Sequence, residues 1–143
     1  MPSKISVTFD NNIWVSFVIG GQIQQLQNIL DNPNIEILTC QKILDEFNVV
    51  EKRPKMQKIF KPERVLKTRE IIEILLVPFI ISSQQMAISR DPKDDYLLHF
   101  SFEYSLNYLV TGDKDLLVLE QYHDTRILTF SNFIKELEIL KVI

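Results

Sequence analysis

Four acidic residues stand at points where a folded chain could use them for chemistry. Two short apolar segments, both predicted to be strands, lead into Asp10 and Asp113. Asp95 stands at a predicted helix start just before the second of these strands, and Glu46 lies roughly two turns into another predicted helix. Ligands of open parallel sheets bind beyond the carboxyl ends of the strands. If the two strands are neighbours, the four carboxylates therefore meet in one crevice.

Carboxylates gathered in one crevice predict a bound divalent cation. They repel one another unless a cation lies among them, and oxygen ligands without Cys or His nearby favour Mg²⁺ or Mn²⁺. Such an ion lowers the pKa of a bound water and stabilises the charge of a phosphoryl displacement. Either one ion or two would suit this set, and Asp10 is the acid that we expect to bridge a pair.

Each of these acids also has a purely structural alternative. A single aspartate after a strand is usually a turn residue or a helix cap. Asp91 and Asp94 are predicted to cap the helix near Asp95, and Asp115 either assists the metal site or caps a short helix at residues 116–119. The joint placement of the four acids at one sheet edge is what favours metal binding.

The predicted strands and helices alternate, which indicates a parallel sheet with helices on both faces. The fold prediction is three-layer α/β/α, with a mostly parallel sheet of roughly five strands, in one domain spanning residues 1–143. The predicted strands are residues 5–9, 35–38, 77–81, 108–110 and 126–128. The predicted helices follow Asn11 or Asn12, cover 22–30, follow Thr39, form a basic segment at 52–61, cover 62–75 and 96–105, and follow Ser131.

The composition argues against disulfide-bonded, cysteine- or histidine-rich metal-binding and membrane proteins. The only cysteine, Cys40, cannot form an internal disulfide, so we expect a reducing, cytoplasmic environment and no cysteine-based zinc site. The two histidines, His99 and His123, are too few for most histidine-rich sites. No apolar run approaches the roughly 18 residues of a membrane span, and residues 1–7 do not resemble a secretory signal.

Four motifs, which together extend over about residues 5–137, resemble the PIN-domain family and, more narrowly, its VapC-like toxins. The motifs are VTFDNNIWVS at 7–16, ILDEF at 43–47, DPKDDYLL at 91–98 and YLVTGDKDLL at 108–117. The last two motifs are specific, whereas the second alone is weak. The family usually has Thr or Ser at the position of Asn11, which is a departure that affects the fine geometry of the site.

The resemblance implies roles for individual residues. Asp10, Glu46, Asp95 and Asp113 would bind Mg²⁺ or Mn²⁺ as an acidic quartet. Asp115 would be an auxiliary acid, Asn12 would hold Asp10 through its side-chain amide, and Thr111 would position the loop or touch a phosphate. Similar proteins cleave RNA, often as growth-arresting toxins, and are often dimers neutralised by a small antitoxin. The resemblance thus predicts a metal-dependent endoribonuclease with a small antitoxin partner and a homodimeric state.

Positive charge is concentrated in one segment although the net charge of the chain is −3. Residues 51–70 hold eight Lys and Arg against three Glu, a local charge of +5. Such a segment can contact an RNA backbone by neutralising phosphates, with Arg53 and Lys55 as the best candidates and Lys114, next to Asp113, as a third. The alternatives are a solvated helix face or a surface that pairs with an acidic partner.

Other functions compete with the ribonuclease. A phosphoacceptor receiver domain would need an acid pair after the first strand and an aspartate after the third, where this chain has Ser82 and Ser83. A non-catalytic binding module would be favoured by the loss of one quartet acid, and none is lost. A DNA-directed flap-type nuclease uses similar metal chemistry but usually needs additional elements to thread DNA.

Overall fold

The computed structural model describes residues 4–20, 22–81 and 94–143, and a five-stranded sheet lies at the centre of this part of the chain. The strands are β1 (Ile5–Phe9), β2 (Ile35–Ile37), β3 (Tyr108–Val110), β4 (Gln121–Tyr122) and β5 (Thr125–Leu128). Their order is β2-β1-β3-β5-β4. The first four strands in this order are parallel, and β4 runs antiparallel to β5.

Helices connect the strands and complete the three-layer α/β/α architecture that the alternating pattern predicted, so the fold prediction is confirmed. The helices of the described residues are α1 (Asn11–Ile19), α2 (Ile23–Leu30), α3 (Gln41–Glu51), α4 (Pro54–Gln57), α5 (Pro62–Ile74), α6 (Tyr96–Glu103), α7 (Lys114–Leu117) and α8 (Phe130–Ile139). None of them is long and apolar enough to cross a membrane.

The predicted strand at residues 77–81 is wrong. Its pairing with the described residues is limited to a bridge between the preceding Leu76 and Thr39, in which Val77 N donates to the Thr39 carbonyl at 2.9 Å. Pro78 then offers no backbone N–H with which to continue a ladder. Ile80 is 87% exposed, so its apolar character does not reflect burial in a sheet. The fifth strand is instead the two-residue β4, which forms a tight hairpin with β5 across His123, a residue of positive φ.

Three predicted helix caps are also wrong, each by one or two positions. Asp10 is the N-cap of α1 because its backbone carbonyl accepts the first helical hydrogen bond, from Ile13 N at 2.9 Å. The N-cap of α3 is Cys40, because the hydroxyl of Thr39 donates instead to the carbonyl of Ile72, at 2.7 Å. The N-cap of α8 is Thr129 rather than Ser131, and its hydroxyl accepts from Asn132 N.

The core under the end of β1 is aromatic. The ring of Phe9 contacts those of Trp14, Phe17, Phe130 and Phe133 edge to face, with centroids 5.5–6.0 Å apart. These contacts pack α1 and α8 against the sheet, and edge-to-face pairs add stability beyond the area that they bury. Phe9 directly precedes Asp10, so the acid at the strand end lies next to closely packed aromatic rings.

Candidate active site

The sheet order places the ends of β1 and β3 side by side. Phe9 is in register with Val110, and the next amide, that of Asp10, donates to the Val110 carbonyl at 2.9 Å. On the other side of β3, Thr111 N donates to the carbonyl of Leu128 at 3.0 Å. Asp10 and Thr111 therefore occupy equivalent positions at the carboxyl edge of the sheet, and Asp113, which the sequence argument placed at this strand end, follows two residues later.

Thr111 connects two of the predicted acids. Its hydroxyl donates to Asp10 Oδ2 at 2.7 Å and accepts from the backbone N–H of Asp113 at 3.0 Å. Thr111 and Asp10 are buried, and Asp113 is half-buried. The predicted support of Asp10 by the Asn12 amide is wrong, since Asn12 is exposed and makes no side-chain hydrogen bond to Asp10 among the described residues. Thr111 holds the carboxylate instead.

Asp113 is both a strand-end acid and a helix cap. Its Oδ1 accepts from the backbone N–H of Asp115 at 2.9 Å, which makes Asp113 the N-cap of α7. The capping alternative for Asp115 is therefore wrong, because Asp115 lies in the first turn and supplies the amide. Within the described chain, the second carboxylate oxygen of Asp113 has no hydrogen bond and could bind a ligand.

Glu46 reaches the same region from α3. Its Oε2 accepts a hydrogen bond from the hydroxyl of Tyr96 at 3.2 Å, and its Oε1 lies 4.0 Å from Lys42 Nζ. Neither partner was predicted from the sequence. The spacing of Lys42 and Glu46 by four residues on a helix is a signal that could have revealed the ion pair. No comparable signal links Tyr96 to Glu46, because fifty residues separate them.

Shifts in pKa show that these acids affect one another. Burial raises the pKa of Asp10 above its usual 3.8, and the charge of Asp113 raises it further, while the Thr111 hydroxyl opposes the shift. Burial also raises the pKa of Glu46, as does the charge of Asp10, against the opposing effects of Tyr96 and Lys42. We refer to Asp10, Glu46, Thr111 and Asp113 together as the acidic site.

Asp95 lies close to this site because the next residue, Tyr96, contacts Glu46. It is 3% exposed and is the residue before α6, whose first residue, Tyr96, contacts Glu46. The N-cap position falls to Asp95 itself, so the prediction that Asp94 caps this helix is wrong. The predicted cap Asp91 lies outside the described residues.

The remaining candidate residues are exposed cations, an exposed histidine and a buried cysteine. Arg53 and Lys55 are exposed at α4, and Lys114 is exposed beside Asp113. His123 is exposed in the β4–β5 turn, where its ring lies 4.4 Å from that of Phe102. Cys40 is fully buried, and burial raises the pKa of its thiol. This environment agrees with an inert core cysteine.

The donor chemistry of the acidic site fits a hard divalent cation. In the described part of the chain, no three Asp, Glu, His or Cys side chains converge closely enough to enclose a metal ion by themselves. The carboxylates are nevertheless hard oxygen donors, and burial, with a smaller contribution from their mutual charge, raises the pKa of Asp10 and Glu46. Next to Asp10, the buried side-chain oxygen of Asn11 also has no hydrogen-bond partner among the residues that the structure describes.

A three-layer fold with acids at the ends of adjacent parallel strands defines an α/β protein with an acidic site at its sheet edge. The chain matches the family model of the PIN domain over residues 6–115, about three quarters of its length. It therefore belongs to the PIN-domain family, whose members are generally nucleases, that is hydrolases, and usually bind divalent metal ions. No curated protein and no solved structure matches the chain significantly.

Proposed function

We propose that this chain is a metal-dependent endoribonuclease that hydrolyses RNA phosphodiester bonds. The observation that carries the proposal is the link from Asp10 through Thr111 to Asp113 at the ends of two adjacent strands. In a nuclease family, such a pair of acids is the natural place for the catalytic cation. Asp10, Glu46, Asp95 and Asp113 would hold one or two Mg²⁺ or Mn²⁺ ions.

In the acidic site, the carboxylates would bind the ion, and Thr111 orients one of them. A bound ion would activate a water molecule and stabilise the negative charge that develops on the phosphate. Asp10 and Asp113 present carboxylate oxygens from a rigid strand edge, and the Thr111 hydroxyl fixes the orientation of Asp10. Glu46 adds a third carboxylate from α3, and burial of Asp10 limits the access of bulk water that would screen these charges.

The basic segment supports RNA as the substrate. Among the eight cations at residues 51–70, Arg69 is engaged by Glu51 at 2.6 Å and Arg64 lies 3.4 Å from the Ile19 carbonyl. Arg53 and Lys55, in contrast, form no ion pair within the described chain and are exposed. They follow α3, the helix that carries Glu46, and could neutralise phosphates next to the cleaved bond. Lys114 could do so from the side of Asp113.

We also propose that the protein acts in the cytoplasm as a single-domain toxin, as a homodimer that a small antitoxin neutralises. Support for the toxin role and its partners comes from the likeness of the four sequence motifs to VapC-like proteins. The measurement that checks the dimer is the mass in solution by light scattering. A monomer at all concentrations would contradict the dimer without affecting the nuclease.

The experiment that tests the nuclease is cleavage of RNA by the purified chain with Mn²⁺ or Mg²⁺ and with EDTA. We expect cleavage that needs the ion and that falls at least about a hundredfold in Asp113→Asn, because an ion ligand is lost. Asp124→Asn, a change of the same chemistry at an exposed turn, is the matched control and should cleave normally.

A single-stranded DNA of the same base sequence, tested as a second substrate, shows whether the protein cleaves RNA or DNA. Cleavage of DNA in preference to RNA would favour the DNA-directed nuclease. Absence of cleavage of either, together with absence of Mn²⁺ binding, would favour a non-catalytic module.

A further inference from the structure

Glu46 differs from the other acids of the site in how its carboxylate is held. Asp10 and Asp113 are short side chains at strand ends, whereas Glu46 projects from a helix through one additional rotatable bond. Its two carboxylate oxygens have separate partners, the Tyr96 hydroxyl at 3.2 Å and the Lys42 ammonium at 4.0 Å. The orientation of this carboxylate therefore depends on which partner constrains it.

The Lys42 pair is a weak constraint. The Lys42 side chain is 44% exposed, and the pair is a surface contact between residues four apart on a helix, at the outer limit of ion-pair distance. Such pairs contribute little, since water screens them and both long side chains lose freedom when they meet.

The Tyr96 hydroxyl constrains the orientation of the Glu46 carboxylate more firmly than Lys42 does. Tyr96 is 4% exposed, so its ring has a fixed place in the core at the first turn of α6. In its contact with Glu46, the phenol O–H donates and the carboxylate oxygen Oε2 accepts, which fixes the direction from which the carboxylate is approached. A donor with a fixed place that meets a half-buried carboxylate constrains the direction of that carboxylate, and at 3.2 Å the bond is a long one that a bound ion could shorten.

We propose that Tyr96 is a positioning residue that, through its hydroxyl, orients the Glu46 carboxylate for metal binding in the acidic site. This inference rests on the proposed metal-dependent function. Groups that hydrogen-bond to metal ligands fix the orientation of those ligands, and their loss typically lowers metal affinity about 10–100-fold. Tyr96 also follows Asp95 directly, so one short segment would supply one acid and orient another.

The test is the dissociation constant for Mn²⁺, measured by calorimetric titration of the full chain. We expect Tyr96→Phe, which keeps the buried ring and removes only the hydroxyl, to raise this constant about tenfold. Tyr108→Phe is the matched control, because the Tyr108 hydroxyl also donates to a glutamate, Glu136, at 3.3 Å but outside the acidic site. It should change the constant less than about twofold, and thermal unfolding of both variants reports whether they fold.

A double-mutant cycle with Glu46→Ala shows whether Tyr96 acts through Glu46. In the Glu46→Ala background, Tyr96→Phe should have no further effect on Mn²⁺ affinity, because the carboxylate that the hydroxyl orients is gone. An equal loss of affinity in both backgrounds, or in Tyr108→Phe as well, would overturn the positioning role.

The failure of this inference and the failure of the proposed function give different results. Normal affinity in Tyr96→Phe together with weak binding in Glu46→Ala would reject Tyr96 and retain the metal site. Normal affinity in Glu46→Ala, or absence of Mn²⁺ binding by the unaltered chain, would contradict the proposed metal site and the role of Tyr96 with it.

Discussion

Asp10 illustrates, at the scale of one residue, the conflict between stability and function. The residue is 6% exposed and its charge lies close to that of Asp113, so the folded protein holds the carboxylate in surroundings that disfavour ionisation. The Thr111 hydroxyl offsets part of this cost. In the proposed function, a bound cation would offset the remaining free-energy cost of the buried charge. Without the ion, the site should reduce the stability of the fold.

The first prediction concerns Asp10→Asn in EDTA. The raised pKa means that the folded chain binds the Asp10 proton more tightly than the unfolded chain, whose pKa is close to 3.8. Asp10 therefore favours folding below about pH 4, and this contribution is lost as the pH rises through the raised pKa. At pH 7 we expect Asp10→Asn to be more stable than the unaltered chain, on the order of 1 kcal/mol.

Thermal unfolding at pH 7 and near pH 4 measures this difference, which should shrink at the lower pH. Asp124→Asn, at an exposed position, should show no comparable gain. A less stable Asp10→Asn at pH 7 would show that the acid contributes packing or hydrogen bonds that outweigh its buried charge. Cleavage by Asp10→Asn should be lost in either case, because the proposed ligand is removed.

At the scale of elements, α3 carries an acid of the site, and α4, which begins after a two-residue break, carries exposed cations. Glu46 lies in the middle of α3, and Arg53 and Lys55 lie at the start of α4. Arg53 and Lys55 follow Glu46 by only seven and nine positions along the chain. This short separation suits a nucleic-acid backbone that passes the acidic site and continues over α4.

The second prediction is that Arg53 and Lys55 contribute to the salt dependence of RNA binding. In an Asp113→Asn background, which would separate binding from cleavage, Arg53→Gln with Lys55→Gln should lower the slope of log affinity against log salt. The expected decrease is about 0.7 per lost phosphate contact, or about 1.4 for both.

Lys135→Gln with Lys141→Gln, which removes two exposed cations from α8 and the residues after it, is the matched control. Fluorescence anisotropy of a labelled single-stranded RNA at several salt concentrations gives the slopes. Equal slopes in the two double variants would remove α4 from the RNA-binding surface and leave the catalytic proposal intact.

At the scale of the whole molecule, the acidic site depends on aromatic packing beneath it. Phe9 contacts rings from α1 and α8, and it is fully buried directly before Asp10. The third prediction is that Phe9→Ala lowers the free energy of unfolding by about 3–5 kcal/mol, because the substitution leaves a cavity among rings that cannot all move inward. Denaturant unfolding measures this loss.

Phe102→Ala is the control for loss of an aromatic ring, since Phe102 is 54% exposed and lies on α6 outside this cluster. It should cost less than about 1 kcal/mol. Similar losses in the two variants would mean that the cluster around Phe9 relaxes to fill the space, and that the strand end is less rigid than the packing indicates.

Much of the fold could be predicted from local patterns. β1, β3 and β5 are short apolar segments followed by polar turn or cap residues, and the helices between them have recognisable starts. The error at residues 77–81 arose because Ile80 and its neighbours have strand-like composition although Pro78 interrupts pairing. β4 was missed because two residues at the surface carry no periodic pattern.

For the candidate site, the sequence by itself determined which acids follow strands and helix starts, since those positions depend on local chain chemistry. Only the tertiary structure decided that β1 and β3 are neighbours, that Thr111 bridges Asp10 and Asp113, and that Tyr96 contacts Glu46. The physical reason is that the contacts between elements, from Tyr96 to Glu46 and from Thr111 to Asp10, join residues 50 and 101 positions apart. Packing of whole elements brings such residues together, and no spacing along the chain encodes it.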